Sequence, residues 1–154
     1  MITDRHDRVR EHTAPDVNAR LDDEMRDRLF RDSTLSDREI SRRVRALDRE
    51  WDIERYLEVL APTLALTGIV MSVRTHRRWL VLPATVLAFL VQHAIKGWCP
   101  PLGALRRAGV RTRREIEEER YALKALRGDF SGLPPDAPQN RLTRVDAALS
   151  AVKS

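Results

Sequence analysis

The chain has 154 residues, of which 28 are basic and 23 acidic, so its net charge is +5. The single cysteine excludes an intrachain disulfide and a four-cysteine zinc site, and we find no sequence motif of a catalytic, metal-binding or cofactor site. Aromatic residues make up only 5% of the chain, and most arginines are interleaved with acids, a pattern typical of solvated helices rather than of a nucleic-acid-binding surface.

Residues 1–33 are rich in aspartate and arginine, and nothing in them has the form of a secretory signal. We predict a charged, flexible N-terminal arm with one helical segment, because apolar residues recur there at four-residue spacing. These residues are Val17, Leu21, Met25 and Leu29.

Residues 34–56 are predicted to form a cytoplasmic amphipathic helix that leads into the membrane. Ser36 and Glu39 have the spacing of a capping box, which marks a helix start. The apolar stripe of this helix consists of Ile40, Val44, Leu47 and Trp51.

Residues 57–95 contain two apolar runs, Leu57–Val73 and Trp79–Ile95, separated by a short basic loop. As a helix rising about 1.5 Å per residue, each run reaches roughly 25 Å, close to the lower limit for crossing the hydrocarbon core of a bilayer. Every face of both runs is apolar, which favours lipid surroundings. We therefore predict a transmembrane helical hairpin with spans at 57–73 and 79–95. The alternative is a buried hairpin inside a soluble four-helix bundle.

Basic residues flank the hairpin unequally, with three arginines in the loop and six basic residues near each outer end. By the positive-inside rule, both termini are expected in the cytoplasm, and the expected location is the bacterial cytoplasmic (inner) membrane. Aromatic and basic side chains at the ends are expected to lie at the level of anionic lipid headgroups. These interfacial residues are Trp79, Lys96, Trp98, Arg106 and Arg107.

Two ionisable residues lie inside the apolar runs, Glu58 in the first and His93 in the second. Folding the hairpin at His76 brings them to nearly the same depth, near the cytoplasmic surface. Three interpretations follow: a polar contact that holds the helices together, separate solvation at the interface, or a proton-transferring pair. The proton pathway needs further acids deeper in the membrane, and the runs contain none.

Small residues recur at helical spacing in both runs, as they do where membrane helices approach closely. They are Ala61, Ala65, Gly68 and Ser72 in the first span, and Ala84 and Ala88 in the second. We predict that these two faces pack on each other. The alternative is that one of them packs against another protein.

Residues 96–130 are predicted to form an interfacial turn, a short helix between Pro101 and Gly109, and a longer cytoplasmic helix. Thr112 and Glu115 have capping-box spacing at the start of the longer helix, which is expected to end near Gly128. Its apolar stripe, which contains Ile116, Leu123 and Leu126, can pack either on that of helix 34–56 or on lipid headgroups.

Residues 131–154 combine a Gly/Pro-rich linker with a small amphipathic pattern. We interpret this segment as a tethered tail helix or as disordered chain. The apolar positions are Leu142, Val145, Leu149 and Val152.

The turn after the second run reads Gly97-Trp98-Cys99-Pro100, and Gly109-Val110-Arg111-Thr112 follows the short helix. Together with the two runs, over about residues 50–115, this pattern resembles the YgaP-like transmembrane domain family (DUF2892) of small bacterial membrane proteins. The resemblance implies two apolar helices in a tight hairpin, a Gly-x-Cys-Pro turn and dimerisation through the helices. Some members carry a fused rhodanese sulfurtransferase, and this chain has charged helical extensions in its place.

Cys99 lies just before the short helix, where a helix N-terminus and the nearby Lys96 are expected to lower the pKa of a thiol. This makes Cys99 the one candidate for a sulfur-accepting or redox residue. The alternative is a small side chain that fills a tight turn.

Taken together, these features predict an all-α integral membrane protein without catalytic activity, cofactor or metal. We expect an accessory, assembly or packing subunit of a larger membrane complex. Its expected partners are anionic lipids, other integral membrane proteins or further copies of itself, and not nucleic acid. The alternative is a membrane platform for sulfur or thiol transfer through Cys99, working with a separate sulfurtransferase.

Overall fold

The computed structural model describes residues 7–131, and within them the chain is helical and contains no strand. The predicted all-α class is thus confirmed for this part of the chain. The helices are α1 (Arg8–Glu11), α2 (Pro15–Asp32), α3 (Asp37–Leu47), α4 (Ile53–Arg74), α5 (Val81–Lys96), α6 (Pro100–Arg107) and α7 (Arg113–Arg127), with a 3-10 turn at Arg77–Leu80. The predicted tail helix lies outside the described residues.

The chain divides into two compact units, and α2 and α7 each contribute to both. The first unit comprises Met1–Asp23 and Trp51–Ile116, and the second comprises Glu24–Glu50 and Glu117–Ser154. The first unit holds the two apolar helices together with the short helices at their ends.

Helices α4 and α5 are the two apolar elements predicted from the sequence, and they pack against each other. Helix α4 begins after Asp52, whose carboxylate accepts a hydrogen bond from the backbone N–H of Arg55 at 2.8 Å. Helix α5 ends at Gly97, which has a positive φ of 70°. Local capping thus sets the outer ends of both helices.

Helices α4 and α5 approach each other closely at Gly68. A Cβ atom placed on Gly68 would lie 2.5 Å from Cδ of Pro83 and 3.1 Å from the carbonyl oxygen of Trp79. No side chain fits there without moving one helix. Pro83 is itself buried, so its ring occupies the space that the missing side chain leaves.

The two stripes of small residues have different positions. In the first span, Ala61 and Gly68 are buried and Ala65 and Ser72 are half-buried, as expected for a contact face. In the second span, Ala84 and Ala88 are exposed, which differs from the prediction that both stripes meet. The physical reason is that large side chains of α5 fill the groove left by small residues of α4, so only one helix needs the small residues.

The second unit contains α3 and the greater part of α7. The predicted capping box is present, since the backbone N–H of Ser36 donates to Oε2 of Glu39 at 3.0 Å. Apolar residues of both stripes are buried, namely Ile40, Val44, Leu47 and Leu123, whereas Trp51 and Leu126 stay exposed. Arg127 of α7 donates to the hydroxyl of Ser41 of α3 at 2.6 Å. The structure therefore favours mutual packing of the two stripes over packing on headgroups.

Buried ion pairs also hold the second unit together. Glu119 is fully buried, and the guanidinium of Arg28 donates to its Oε2 at 3.0 and 3.1 Å. Arg43 lies 3.5 Å from the other carboxylate oxygen and also pairs with Asp32 at 3.1 Å. Glu119 thus joins residues of α2, α3 and α7.

The described part of the predicted flexible arm, residues 7–33, differs from that expectation because it is mostly helical. The predicted helical segment is part of α2, in which Val17 and Leu21 are buried. The first part of this segment is held in place by hydrogen bonds to residues far along the chain.

Candidate functional site

Short helices surround the outer ends of α4 and α5 in the first unit. We call α1, α6 and the first turns of α2 and α7 the platform. A cluster of buried residues joins the platform to the apolar helices, and it consists of Val9, Ile53, Leu57, Cys99 and Leu102. The backbone also connects them, since the N–H of Ile53 donates to the carbonyl of Arg111 at 3.1 Å.

Helix α1 is fastened to the end of α5 through Arg8. Its guanidinium donates to the carbonyl oxygens of Ala94 at 3.2 Å and Ile95 at 3.4 Å. A cation at a helix C-terminus satisfies orphan carbonyl groups and interacts favourably with the helix dipole. A Cβ on Gly97 would clash with Cβ of Arg8, so this contact also requires glycine at position 97.

The centre of the platform is a buried ion pair between Arg106 and Glu115. Their side chains form a bidentate contact, with Nη1 to Oε2 at 2.6 Å and Nη2 to Oε1 at 2.8 Å. Arg106 also donates to Oδ1 of Asn18 at 2.8 Å and to the carbonyl of Val110 at 3.2 Å. Arg106 is 0% exposed and Glu115 only 3%, so the pair is removed from water.

Two further groups donate hydrogen bonds to the carboxylate of Glu115. Arg10 donates to its Oε1 at 2.7 Å and also pairs with Asp22 at 2.7 Å. The backbone N–H of Thr112 donates to Oε2 at 2.9 Å, which confirms the predicted capping box. Burial alone raises the pKa of Glu115, but the hydrogen bonds from Arg106 and Thr112 and the two guanidinium charges hold it below its usual range.

The cluster of Arg10, Asp22, Arg106 and Glu115 was not predicted from the sequence, apart from the capping role of Glu115. It connects α1, α2, α6 and α7 through one carboxylate. Its two positive and two negative charges neutralise one another, as expected for a buried cluster of ion pairs. Hydrogen bonds of Arg10, Asn18 and Asp22 within this cluster hold α1 and the first part of α2 in place.

The predicted interfacial residues fall into two groups. Trp79, Trp98, Lys96 and Arg107 are exposed, as a position at lipid headgroups requires. Arg106 is buried because its guanidinium forms an ion pair with Glu115, so it differs from the exposed interfacial side chain that the sequence predicts.

Glu58 and His93 do not meet. Glu58 is exposed, and no ion pair or hydrogen bond joins it to His93 in the described part of the chain. Nδ1 of His93 is buried and has no hydrogen-bond partner among the described residues. The structure thus offers no support for a Glu58–His93 latch or for a proton-transferring pair.

Cys99 is 3% exposed and packs in the apolar cluster. Burial raises the pKa of its thiol, although the backbone N–H of Leu102 has the opposite, smaller effect. The expectation that the helix N-terminus lowers this pKa is therefore wrong. At neutral pH the thiol stays protonated, and a protonated thiol is a poor nucleophile.

One face of Cys99 borders an apolar cavity of about 230 Å³ between α4 and α5. Its wall consists almost entirely of aliphatic and aromatic side chains, among them Leu57, Leu64, Val86 and Phe89. Within residues 7–131, no group of three or more histidine, cysteine, aspartate or glutamate side chains is placed to hold a metal ion. Among the described residues, the side chains that line this cavity beside Cys99 include no base that would deprotonate the thiol.

The thiol of Cys99 is expected to react slowly with a small maleimide in native membranes at pH 7. The control is a chain with Cys99→Ser and Ala108→Cys, because Ala108 is exposed at the end of α6. Its labelling rate is expected to exceed that of Cys99 by about tenfold or more, since thiolate fraction and access both govern the rate. Equal rates at the two positions would show that Cys99 is reactive.

No family model, curated protein or solved structure matches this chain. The resemblance to the YgaP-like family therefore depends on the two apolar runs, the Gly97–Pro100 turn and the Gly109–Thr112 segment.

Proposed function

We propose that this chain is a two-span integral membrane protein that serves, without catalysis, as an accessory or packing subunit of a larger membrane assembly. In this proposal α4 and α5 form a transmembrane hairpin in the bacterial cytoplasmic membrane. Both termini and the platform lie on the cytoplasmic side, and the loop between the spans faces outward.

The observation that carries the membrane assignment is the exposure of α4 and α5. The segments Ile53–Arg74 and Arg77–Lys96 are long and apolar enough to cross a membrane, and only 17% and 6% of their most apolar windows are buried. The core helix of a soluble protein is mostly buried. Leaving a large apolar side chain in water forfeits about 1.5–3 kcal/mol, and many such residues are exposed here. They include Leu66, Leu87, Val91 and Ile95. Lipid around the hairpin removes this cost.

Basic residues support the orientation, because they are more frequent at the outer ends of the hairpin than in its loop. The exposed tryptophans Trp79 and Trp98 mark the two interfaces, one at each end of the second span.

A packing role is supported by the outward face of α5. Ala84 and Ala88 are exposed and one helical turn apart, and small residues at this spacing let a second membrane helix approach closely. The role without catalysis is supported by Cys99, whose buried, protonated thiol is unsuited to sulfur transfer, and by an ion cluster whose charges are neutralised internally.

The test is purification of a tagged full chain from native membranes in mild detergent, followed by mass spectrometry of stoichiometric partners. A constant membrane partner is expected, and Ala84→Leu with Ala88→Leu is expected to release it. A matched control is Val70→Leu, which enlarges an exposed residue of α4 instead. Recovery of the chain in the soluble fraction would overturn the membrane assignment. Recovery as a lone homo-oligomer would favour the sulfur-transfer alternative if the chain also shows a thiol-transfer activity that Cys99→Ser abolishes.

A further inference from the structure

A second cavity, of about 290 Å³, lies in the first unit between the turn that joins α1 to α2 and one side of α6. Its wall includes His12, Thr13, Trp98, Gly103, Arg106 and Arg107. Unlike the cavity beside Cys99, it is lined by both polar and apolar groups, and no acidic side chain contributes to its wall.

The key observation concerns Arg106, which lines this cavity and is 0% exposed. A guanidinium has five N–H donors. Four of those of Arg106 are accounted for by the two bonds to Glu115 and by the bonds to Asn18 and Val110. The fifth, Nε–H, is buried and has no partner among the described residues. A buried donor without an acceptor costs about 1–3 kcal/mol, so the site is incomplete without an acceptor atom.

The charge of the cavity favours an anionic acceptor. Arg107 also lines the wall and is exposed, so a second positively charged residue belongs to the same cavity as the unpartnered donor of Arg106. Arginine is the preferred partner of phosphate groups because its planar fork of donors matches phosphate oxygens. No acid among the described residues of the wall competes for these donors.

The shape of the cavity depends on Gly103. A Cβ atom at this position would have no neighbour within 4 Å, so the wall is open where a side chain would otherwise stand. Trp98, which follows the end of α5, forms an apolar part of the wall. The cavity thus combines donors for an oxyanion with an indole at the end of the second span.

We propose that this cavity is a binding site for a phosphate group, with the Nε–H of Arg106 and the guanidinium of Arg107 as donors and Gly103 providing the space. The expected source is the headgroup of an anionic phospholipid in the cytoplasmic leaflet, and this part rests on the proposed membrane location. Free inorganic phosphate has the same chemistry and is the other source to be tested.

The variant that tests the site is Gly103→Leu, which adds a side chain at the wall of the cavity, where a Cβ atom has no protein neighbour within 4 Å. Arg106 is left unchanged because its removal would leave the buried carboxylate of Glu115 without its bidentate partner. Arg107→Gln removes the second donor, and Lys96→Gln is the matched control, since it removes an exposed positive charge at the end of α5 that does not line the cavity. A thermal unfolding profile verifies that each variant folds.

The experiment is native mass spectrometry of the detergent-purified full chain with added phosphatidylglycerol or phosphatidylcholine, together with a calorimetric titration of inorganic phosphate. The wild-type chain is expected to retain one phosphatidylglycerol in preference to phosphatidylcholine. Gly103→Leu and Arg107→Gln are expected to weaken retention about tenfold, and Lys96→Gln less than about twofold.

The two arms separate the sources of the phosphate. Phosphate binding that is lost in Gly103→Leu, without preferential lipid retention, would support the oxyanion site with a free anion as its ligand. Equal retention of both lipids and no phosphate binding by the wild-type chain would overturn the site. So would unchanged binding in Gly103→Leu. Because the phosphate titration does not depend on a bilayer, failure of the membrane assignment alone leaves it interpretable.

Discussion

Replacing Glu115 by alanine is expected to destabilise the platform by about 3–5 kcal/mol, the range found when one partner of a buried ion pair is removed. The reason is that Arg106, which is 0% exposed, loses two of its hydrogen bonds and keeps its charge away from water. Arg10 loses a partner at the same time. The measurement is pulse proteolysis of the detergent-purified chain over a urea series.

The control for this variant is Asp16→Ala. Asp16 is also an acid near a helix start but is exposed, so its removal is expected to cost less than about 1 kcal/mol. A Glu115→Ala chain as stable as Asp16→Ala would show that the ion pair does not hold the platform together.

The pKa of the Glu115 carboxylate determines how the stability of the platform is expected to depend on pH. Its pKa is lowered in the folded chain, so its stabilising contribution is present above the pKa of the unfolded chain, about 4.3. That contribution is lost as the pH falls through the lower pKa of the folded chain. A Glu115→Gln chain is expected to lose less stability between pH 5 and pH 3 than the wild type does, as measured by the same proteolysis assay.

Replacing Gly68 by leucine is expected to force α4 and α5 apart. Its Cβ would lie 2.5 Å from Pro83 and 3.1 Å from the backbone oxygen of Trp79, and a backbone atom cannot rotate away as a side chain can. Overpacking of this kind costs about 1–3 kcal/mol, sometimes more. The interaxial distance is expected to increase by about 1–2 Å, within the range set by side-chain size at helix contacts.

The distance between the helices can be measured by pulsed electron paramagnetic resonance. Spin labels are attached at Leu66→Cys and Leu87→Cys in a Cys99→Ser chain. Both label positions are exposed, one on each apolar helix. Ala84→Leu is the matched control, because it adds the same side chain to an exposed position of α5 and is expected to leave the distance unchanged. An unchanged distance in Gly68→Leu would contradict the close contact with Pro83.

The ends of the helices were predictable because local interactions decide them. Both capping boxes involve residues three positions apart, and Gly97, Gly109 and Gly128 adopt the positive φ values that end helices or turns. The two apolar runs could also be identified from the sequence, because their length and composition are those of helices that can cross a membrane. Periodicity and capping carry this information within a few residues.

The tertiary structure decided which side chains meet. Arg10 and Glu115 are 105 residues apart in the chain, and no local pattern indicates that they pair. Arg106 and Arg107 have the same sequence context, since both follow the second apolar run. Arg107 is nevertheless exposed, whereas Arg106 pairs with a buried carboxylate.

The same division applies to the small residues. Both stripes have the spacing of a helix contact, but the ring of Pro83 fills the groove at Gly68 and leaves Ala84 on the outside. The apolar character of the helices and several of their ends follow from neighbours along the chain, so they could be read from local patterns. The break between α3 and α4 and the partners of Gly68, Arg106 and Glu115 could not, because packing and charge pairing depend on where each side chain points once the helices have assembled.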